Sequence, residues 1–244
     1  MKKQLKKLLP IWLLEHLKIR RQSNIFKNKP IEETFTYINK NNSWTSDESV
    51  SGDGSEVDVT KELISELQLF FKKEKIQSML DIPCGDFNWM QHANLQEVDY
   101  IGGDIVESLI VHNNDKHGNK NISFATLDLT KDKLPKVDVI FCRDCLVHLS
   151  YKNIYKALVN IKKSESKYLL TTSFYRCNRN KDIITGQWRK LNFELFPFYF
   201  NKPTQIIDEK YTRKGGKYSD KTMSLWEISE IPIPFKLRLY YWFT

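Results

Sequence analysis

The apolar positions change their spacing several times along the chain. Between Lys2 and Arg21, Leu5, Leu8, Leu9, Trp12 and Ile19 recur near helical spacing, which predicts a basic amphipathic helix over 2–21 with Pro10 placed to kink it. A polar stretch follows, and Asn41-Asn42-Ser43 and Ser51-Gly52-Asp53-Gly54-Ser55 have the composition of loops. From about Ser55 the period is helical again, with Leu63, Ile64, Leu67, Phe70 and Phe71 on one face. Short apolar runs then alternate with helical segments. Strands are predicted at 76–82, 98–102, 122–127, 137–142 and 168–173, and helices at 107–117 and 151–163. Runs at 204–211 and 221–230 flank Gly215-Gly216 and predict an antiparallel hairpin. Repeated β-α-β with short apolar strands points to an α/β protein, its parallel sheet covered on both faces.

At 244 residues and 41% hydrophobic, the chain suits one large domain with extensions and has material for a sizeable core. The pattern divides it into a basic helical arm (1–43), an α/β domain (44–231) and an aromatic tail (232–244). The net charge of +8 lies in the arm, because residues 1–30 hold nine Lys/Arg against one acid, Glu15, and the rest sums to zero. A neutral body argues against nucleic acid as partner. An electrostatic partner should meet the arm, and peripheral contact of residues 1–30 with the inner face of a membrane is the expectation. An alternative is an ordinary helix docked on the domain. The run Leu8–Leu14 is too short to span a bilayer and lacks a cleavage site after it, so a cytoplasmic protein is expected. Four cysteines, Cys84, Cys142, Cys145 and Cys177, make no disulfide framework; reduced thiols and no metal site are expected.

The sharpest chemical signal is Leu80-Asp81-Ile82-Pro83-Cys84-Gly85-Asp86-Phe87-Asn88-Trp89-Met90, where the first strand should end. In doubly wound sheets ligands bind beyond the carboxyl ends of the strands. Asp81 there can orient the turn or accept from a ligand amine, and Gly85 lets backbone approach a ligand. A dinucleotide would require G-x-G-x-x-G to admit its pyrophosphate, and of these glycines only Gly85 is present. Asp104 ends the second strand, 23 residues past Asp81, close to the spacing of an acid that accepts from ribose hydroxyls. Asp128 ends the third and can accept from an adenine amino group. After the fourth come Arg143, Asp144 and His148; on one helical turn Asp144 and His148 share a face, making His148 a candidate base and Asp144 the residue that orients or charges it. Thr171, Thr172, Arg176, Asn178, Trp188 and Arg189 follow the fifth strand in a polar, aromatic stretch suited to an acceptor.

The segments LDIPCGDFNWM, YIGGDIVESLI, FATLDLT and VDVIFCRDCLVHLS resemble successive motifs of class I S-adenosylmethionine (SAM)-dependent methyltransferases. The resemblance extends to a bacterial subgroup carrying an upstream W…ESVSG.GS (Trp44, Glu48–Ser55), PCGDFNWM, CRDCLVHLS, TTSF and TG.WR.LN, and covers about 44–230. It implies a Rossmann-like fold, a seven-stranded, mostly parallel sheet with an antiparallel last strand. It also implies SAM as cofactor and S-adenosylhomocysteine (SAH) as product. Cofactor contacts carry over to Asp81, Pro83, Cys84, Gly85, Asp86, Asp104, Ile105, Asp128, Leu129 and Arg143, with Trp44, Ser51 and Gly52 closing from the upstream side. Catalytic roles fall to His148, Asp144 and Arg143, and acceptor contacts to Thr172, Arg176, Trp188 and Arg189. Pro83 and Phe87 stand at two glycine positions of the usual E/D-x-G-x-G-x-G. The expected reaction is O-methylation of a sugar or other small precursor of bacterial capsule or surface polysaccharide, the acceptor being nucleotide-linked or phosphorylated. The alternatives are a nucleic-acid or protein methyltransferase and a non-catalytic SAM-binding protein. The N/D-P-P-Y segment of enzymes that methylate base amino groups is absent.

Overall fold

The computed structural model describes residues 10–233. Residues 2–9 of the predicted arm helix and nearly all of the aromatic tail lie outside them. The strands are β1 (Ser78–Asp81), β2 (Asp99–Asp104), β3 (Ile122–Thr126), β4 (Val139–Cys142), β5 (Tyr168–Phe174), β6 (Gln205–Asp208) and β7 (Lys221–Glu227). They form one sheet in the order β3-β2-β1-β4-β5-β7-β6. β1 to β5 pair in parallel, and β7 runs antiparallel between β5 and β6. The order reverses between β1 and β4, which is where a doubly wound sheet opens a crevice at its carboxyl edge.

The alternating side chains of the central strands supply two cores. Leu80, Ile140, Cys142 and Leu169 pack on one face with Ile154, Ala157, Leu158 and Ile161 of a helix over Tyr151–Lys163. Met79, Val139, Phe141 and Leu170 pack on the other, against Leu63, Leu67 and Phe70 of a helix over Val57–Glu74 and Ile110 of a helix over Glu107–His117. Both faces are therefore covered, as a parallel sheet requires. The predicted strands overrun the hydrogen-bonded ones at their ends. Ile76, Ile82, Val98 and Val137 are buried outside the strands they were expected to join.

Two further helices precede this unit, α1 (Ile11–Phe26) and α2 (Ile31–Lys40). Pro10 does not kink α1. It stands at its N-terminus, and its carbonyl accepts from Leu13 N and Leu14 N; a fixed φ and a missing N–H are tolerated there. The polar stretch after the predicted 2–21 helix, still within the arm, contains α2, which the sequence pattern did not reveal. Glu32 and Glu33 sit in its first turn and Lys40 in its last, and it buries Thr34 and Ile38.

Candidate functional site

The crevice is built first by the turn after β1. Gly85 has φ +57°, and a Cβ there would fall 2.1 Å from Ser51 Oγ, so both conformation and space call for glycine. Its N–H donates to Asp104 Oδ2 (3.1 Å) and its carbonyl accepts from Asn113 Nδ2 (2.8 Å). Phe87, at a glycine position of the usual loop, keeps a positive φ of 56°. That conformation is unfavourable for a side-chain residue, and its ring is fully packed against Tyr100, Phe124 and His117. The glycine-like path is thus held by aromatic burial.

The upstream ESVSG segment is tied to this turn. Asp86 accepts from Ser49 Oγ (3.0 Å), Val50 N (2.9 Å) and Ser51 Oγ (3.1 Å). Asn88 Nδ2 donates to Glu48 Oε1 (2.7 Å) and Ser55 O (3.1 Å). Two motifs about 35 residues apart are one hydrogen-bonded unit, in which Asp86 fastens the upstream loop and does not line the cleft.

The resulting cleft lies at the carboxyl edge of the sheet and is partly open to solvent. Asp81, Pro83, Cys84, Gly85, Asp104, Ile105, Asp128, Leu129 and Arg143 line it, as do Trp44 and Ser51. Helix α2 contributes Ile31, Phe35 and Asn39, which the sequence reading did not anticipate, although Ile31, Phe35 and Ile38 have helical spacing. Asp81 accepts from Tyr100 Oη (2.7 Å), and burial raises its pKa to about 7. Asp104 accepts from Val106 N (2.9 Å) as well as Gly85 N, and burial raises it to about 6. Asp128 accepts from Thr130 N and Thr130 Oγ1.

A second cleft adjoins the first and shares Trp44, Ser51, Asp144 and His148 with it. Gly52, Phe174, Trp188, Tyr211, Tyr218 and Lys221 line it, together with Ile19 and Gln22 of α1. Gly52 has φ +96°, and a Cβ there would lie 2.9 Å from Trp44 Cβ. Of the residues expected at the acceptor, only Trp188 reaches this cleft. Thr172 is buried beneath it; its hydroxyl donates to Asp144 Oδ1 (3.4 Å) and accepts from Asp144 N (2.8 Å). Arg176 is exposed and stacks on Tyr175. Arg189 is buried and donates to the carbonyls of Leu146 (2.8 Å) and Leu149 (2.6 Å).

Asp144 and His148 do not share a helical turn. Asp144 has φ +51°, and only Leu146–His148 form a short 3-10 turn. Asp144 pairs with Lys221 (2.5 Å) and lies 3.6 Å from Arg143 Nη1. Burial works to raise its pKa, but Lys221 and Arg143 outweigh it and hold it at about 2. His148 Nδ1 lies 2.9 Å from the Gln187 carbonyl. A carbonyl can only accept, so Nδ1 carries the proton and Nε2 of the neutral ring is left as an acceptor. Burial lowers the His148 pKa to about 4, so the ring is neutral at pH 7. Gln187, not Asp144, orients it.

Arg143, Asp144, Glu209 and Lys221 form a buried network of two cations and two anions. Glu209 Oε2 accepts from Arg143 Nη2 (2.6 Å) and lies 3.2 Å from Lys221 Nζ. Arg143 Nη2 also donates to Gly54 O (2.9 Å). Glu209 and Lys221, from the β6–β7 end of the sheet, went unrecognised in the sequence as parts of this site.

No family model and no curated protein matches the chain. Among solved structures it is similar to phosphoethanolamine N-methyltransferase 1 of Haemonchus contortus, in complex with phosphoethanolamine and SAH. The TM-score is 0.59 at 14% identity, over 86% of this chain and 52% of that one. It is also similar to magnesium protoporphyrin IX methyltransferase of Synechocystis PCC 6803, with a TM-score of 0.40 at 15% identity, over 48% of this chain and 57% of that one. The chain thus matches little more than half the length of either structure. The first likeness establishes the fold, a Rossmann-like methyltransferase fold with its antiparallel C-terminal pair.

Proposed function

We propose that this protein is a SAM-dependent methyltransferase acting on a hydroxyl of a small acceptor. The observation that carries the reading is the meeting of two clefts at His148, at the point where strand order reverses. The donor set of the first cleft fits SAM. Asp81 suits the amino group, Asp104 the ribose hydroxyls and Asp128 the adenine amine, while no run of glycine amides awaits a pyrophosphate. When bound, SAM supplies an electrophilic methyl group on a sulfonium. Positioning contributes much of the rate in such a transfer. An alcohol must also lose its proton, and the unprotonated Nε2 of His148 is the acceptor available at the junction of the clefts.

Calorimetry with SAH and NAD tests the cofactor assignment, with SAH expected to bind and NAD not to. Asp81 must be ionised to receive an ammonium group, and its pKa in the free protein is about 7. SAH affinity should therefore fall toward tenfold per pH unit below that value. Tight NAD binding without SAH binding would overturn the reading. Asp104→Ala should cost about 1.5–3 kcal/mol of SAH affinity, the scale of hydrogen bonds to a charged group. An unchanged dissociation constant would remove Asp104 from the site.

For the acceptor we favour a sugar or similar polyol, nucleotide-linked or phosphorylated, as used for bacterial capsule or surface polysaccharide. Phe174, Tyr218 and Tyr211 of the second cleft already carry the protein's own cations. Lys190 Nζ lies 5.3 Å from the Phe174 ring and 5.5 Å from Tyr218, and Lys221 Nζ 5.4 Å from Tyr211. Such rings do not cage a cationic acceptor. They suit a neutral or acidic one, with partly exposed Trp188 as a stacking face. This separates the expected acceptor from the phosphoethanolamine of the Haemonchus contortus enzyme.

Peripheral membrane contact through residues 1–30 belongs to the same reading. No described helix is long and apolar enough to cross a membrane. On α1, exposed Leu17 lies near exposed Arg20 and Arg21. Each basic residue near an anionic surface contributes roughly 1 kcal/mol. Sedimentation with anionic vesicles should show binding that weakens when Arg20 and Arg21 are replaced by glutamine. Equal pelleting would assign these residues to the protein's own surface alone.

A further inference from the structure

The TG.WR.LN segment turns its polar groups mainly toward the loop that carries His148. Thr185 Oγ1 accepts from Ser150 N (3.0 Å) and Asn153 Nδ2 (2.8 Å). Gly186 N donates to His148 O (2.9 Å), and Arg189 N to Val147 O (3.2 Å). With the Arg189 guanidinium on the Leu146 and Leu149 carbonyls, the segment grips this loop residue by residue.

The other side of the same segment seats the N-terminal helices. Gly186 has φ +98°, and a Cβ there would come within 2.6 Å of Thr34 Cγ2 and 2.9 Å of Phe26 Cδ2. The Gln187 side chain is buried. Its Oε1 accepts from Ile184 N (3.1 Å), and its Nε2 donates to Ile19 O (3.2 Å) and Ser23 Oγ (2.9 Å) of α1. One residue therefore holds α1 with its side chain and the His148 ring with its carbonyl.

We propose that Gln187 is a positioning residue that couples the docking of α1 to the orientation of the His148 imidazole. Both bonds belong to one residue and depend on one backbone setting. Losing the α1 partners would leave a buried amide unpaired, and relaxing to hydrate it turns the peptide whose carbonyl orients the ring. The ring then loses its Nδ1 acceptor and its fixed tautomer. The functional consequence rests on His148 being the base. The measurement below reads the imidazole itself and stands if the methyl-transfer reading fails.

Asp144, Arg189 and Lys221 are the charged groups acting on His148, and the Trp44 ring packs 5.2 Å from it. Gln187 is uncharged, so replacing it alters none of these charges. A changed tautomer would report geometry. Long-range 15N correlation spectra of histidine-labelled full-length protein, with His148 assigned through His148→Gln, give the tautomer at about pH 7. The wild type should show the Nδ1–H form alone. Gln187→Ala should give a mixture of both tautomers. Should Gln187→Ala not fold, Ser23→Leu fills the position of the amide's partner from a half-buried site on α1. It should produce the same mixture. A folded Gln187→Ala, or in its place a folded Ser23→Leu, that keeps a pure Nδ1–H signal would overturn the proposal.

Discussion

Substituting His148 by alanine should lower the methyl-transfer rate by about 10²–10⁴-fold, the contribution of a positioned base. SAH affinity should barely change, because Asp81, Gly85, Asp104 and Asp128 remain. The pH profile follows from the neutral ring. Its pKa is lowered to about 4, so the proton-accepting form is populated above that value and lost below it. With SAM kept saturating, wild-type kcat/KM for the acceptor should therefore rise with pH through a limb near 4, well under the ordinary histidine value, and the alanine variant should lack that limb. Turnover of His148→Ala within about threefold of wild type, far short of a lost base, would leave the ring a positioning role. Asp144→Asn offers a contrast. Asp144 bonds Lys221 and not His148, so this change should disturb the charge network before it disturbs the base.

The second large effect is on stability. Glu209→Ala leaves Arg143 and Lys221 buried with Asp144 as their sole remaining acidic partner in the network. Removing one member of a buried, hydrogen-bonded ion group costs about 3–5 kcal/mol, because an uncompensated charge stays in a poor solvent. Against a usual total of about 5–15 kcal/mol, that is a large part of the stability. Urea denaturation should show the midpoint falling accordingly. A loss under about 1 kcal/mol, the value of an exposed pair, would mean that water reaches these charges in solution. Glu209→Gln keeps the shape and one acceptor oxygen for Arg143, and should fall between the two.

Much of the first cleft was legible along the chain. Asp81, Asp104 and Asp128 each stand at or just past the end of a short apolar run, and all three face one crevice. Parallel strands make this inevitable, since their carboxyl ends lie along one edge. Helix α2 was obscured because Glu32, Glu33 and Lys40 make the segment polar, although its apolar residues keep helical spacing. The pairing of Asp144 with His148 failed for a different reason. Spacing of four implies a shared face only on a regular helix, and the left-handed Asp144 breaks that premise.

The alternation of strands and helices, the two-sided burial of the sheet and the strand-end carboxylates are legible in the chain alone. These follow from period and local chemistry, which act over a few residues. The meeting of Glu209 and Lys221 with Arg143 and Asp144, and the hold of Gln187 on both α1 and His148, arise only in the folded chain. A buried charge or amide must find a partner wherever the chain can bring one. Periodicity reports that such a residue is buried, but the partner is chosen by packing between segments that are distant in the chain.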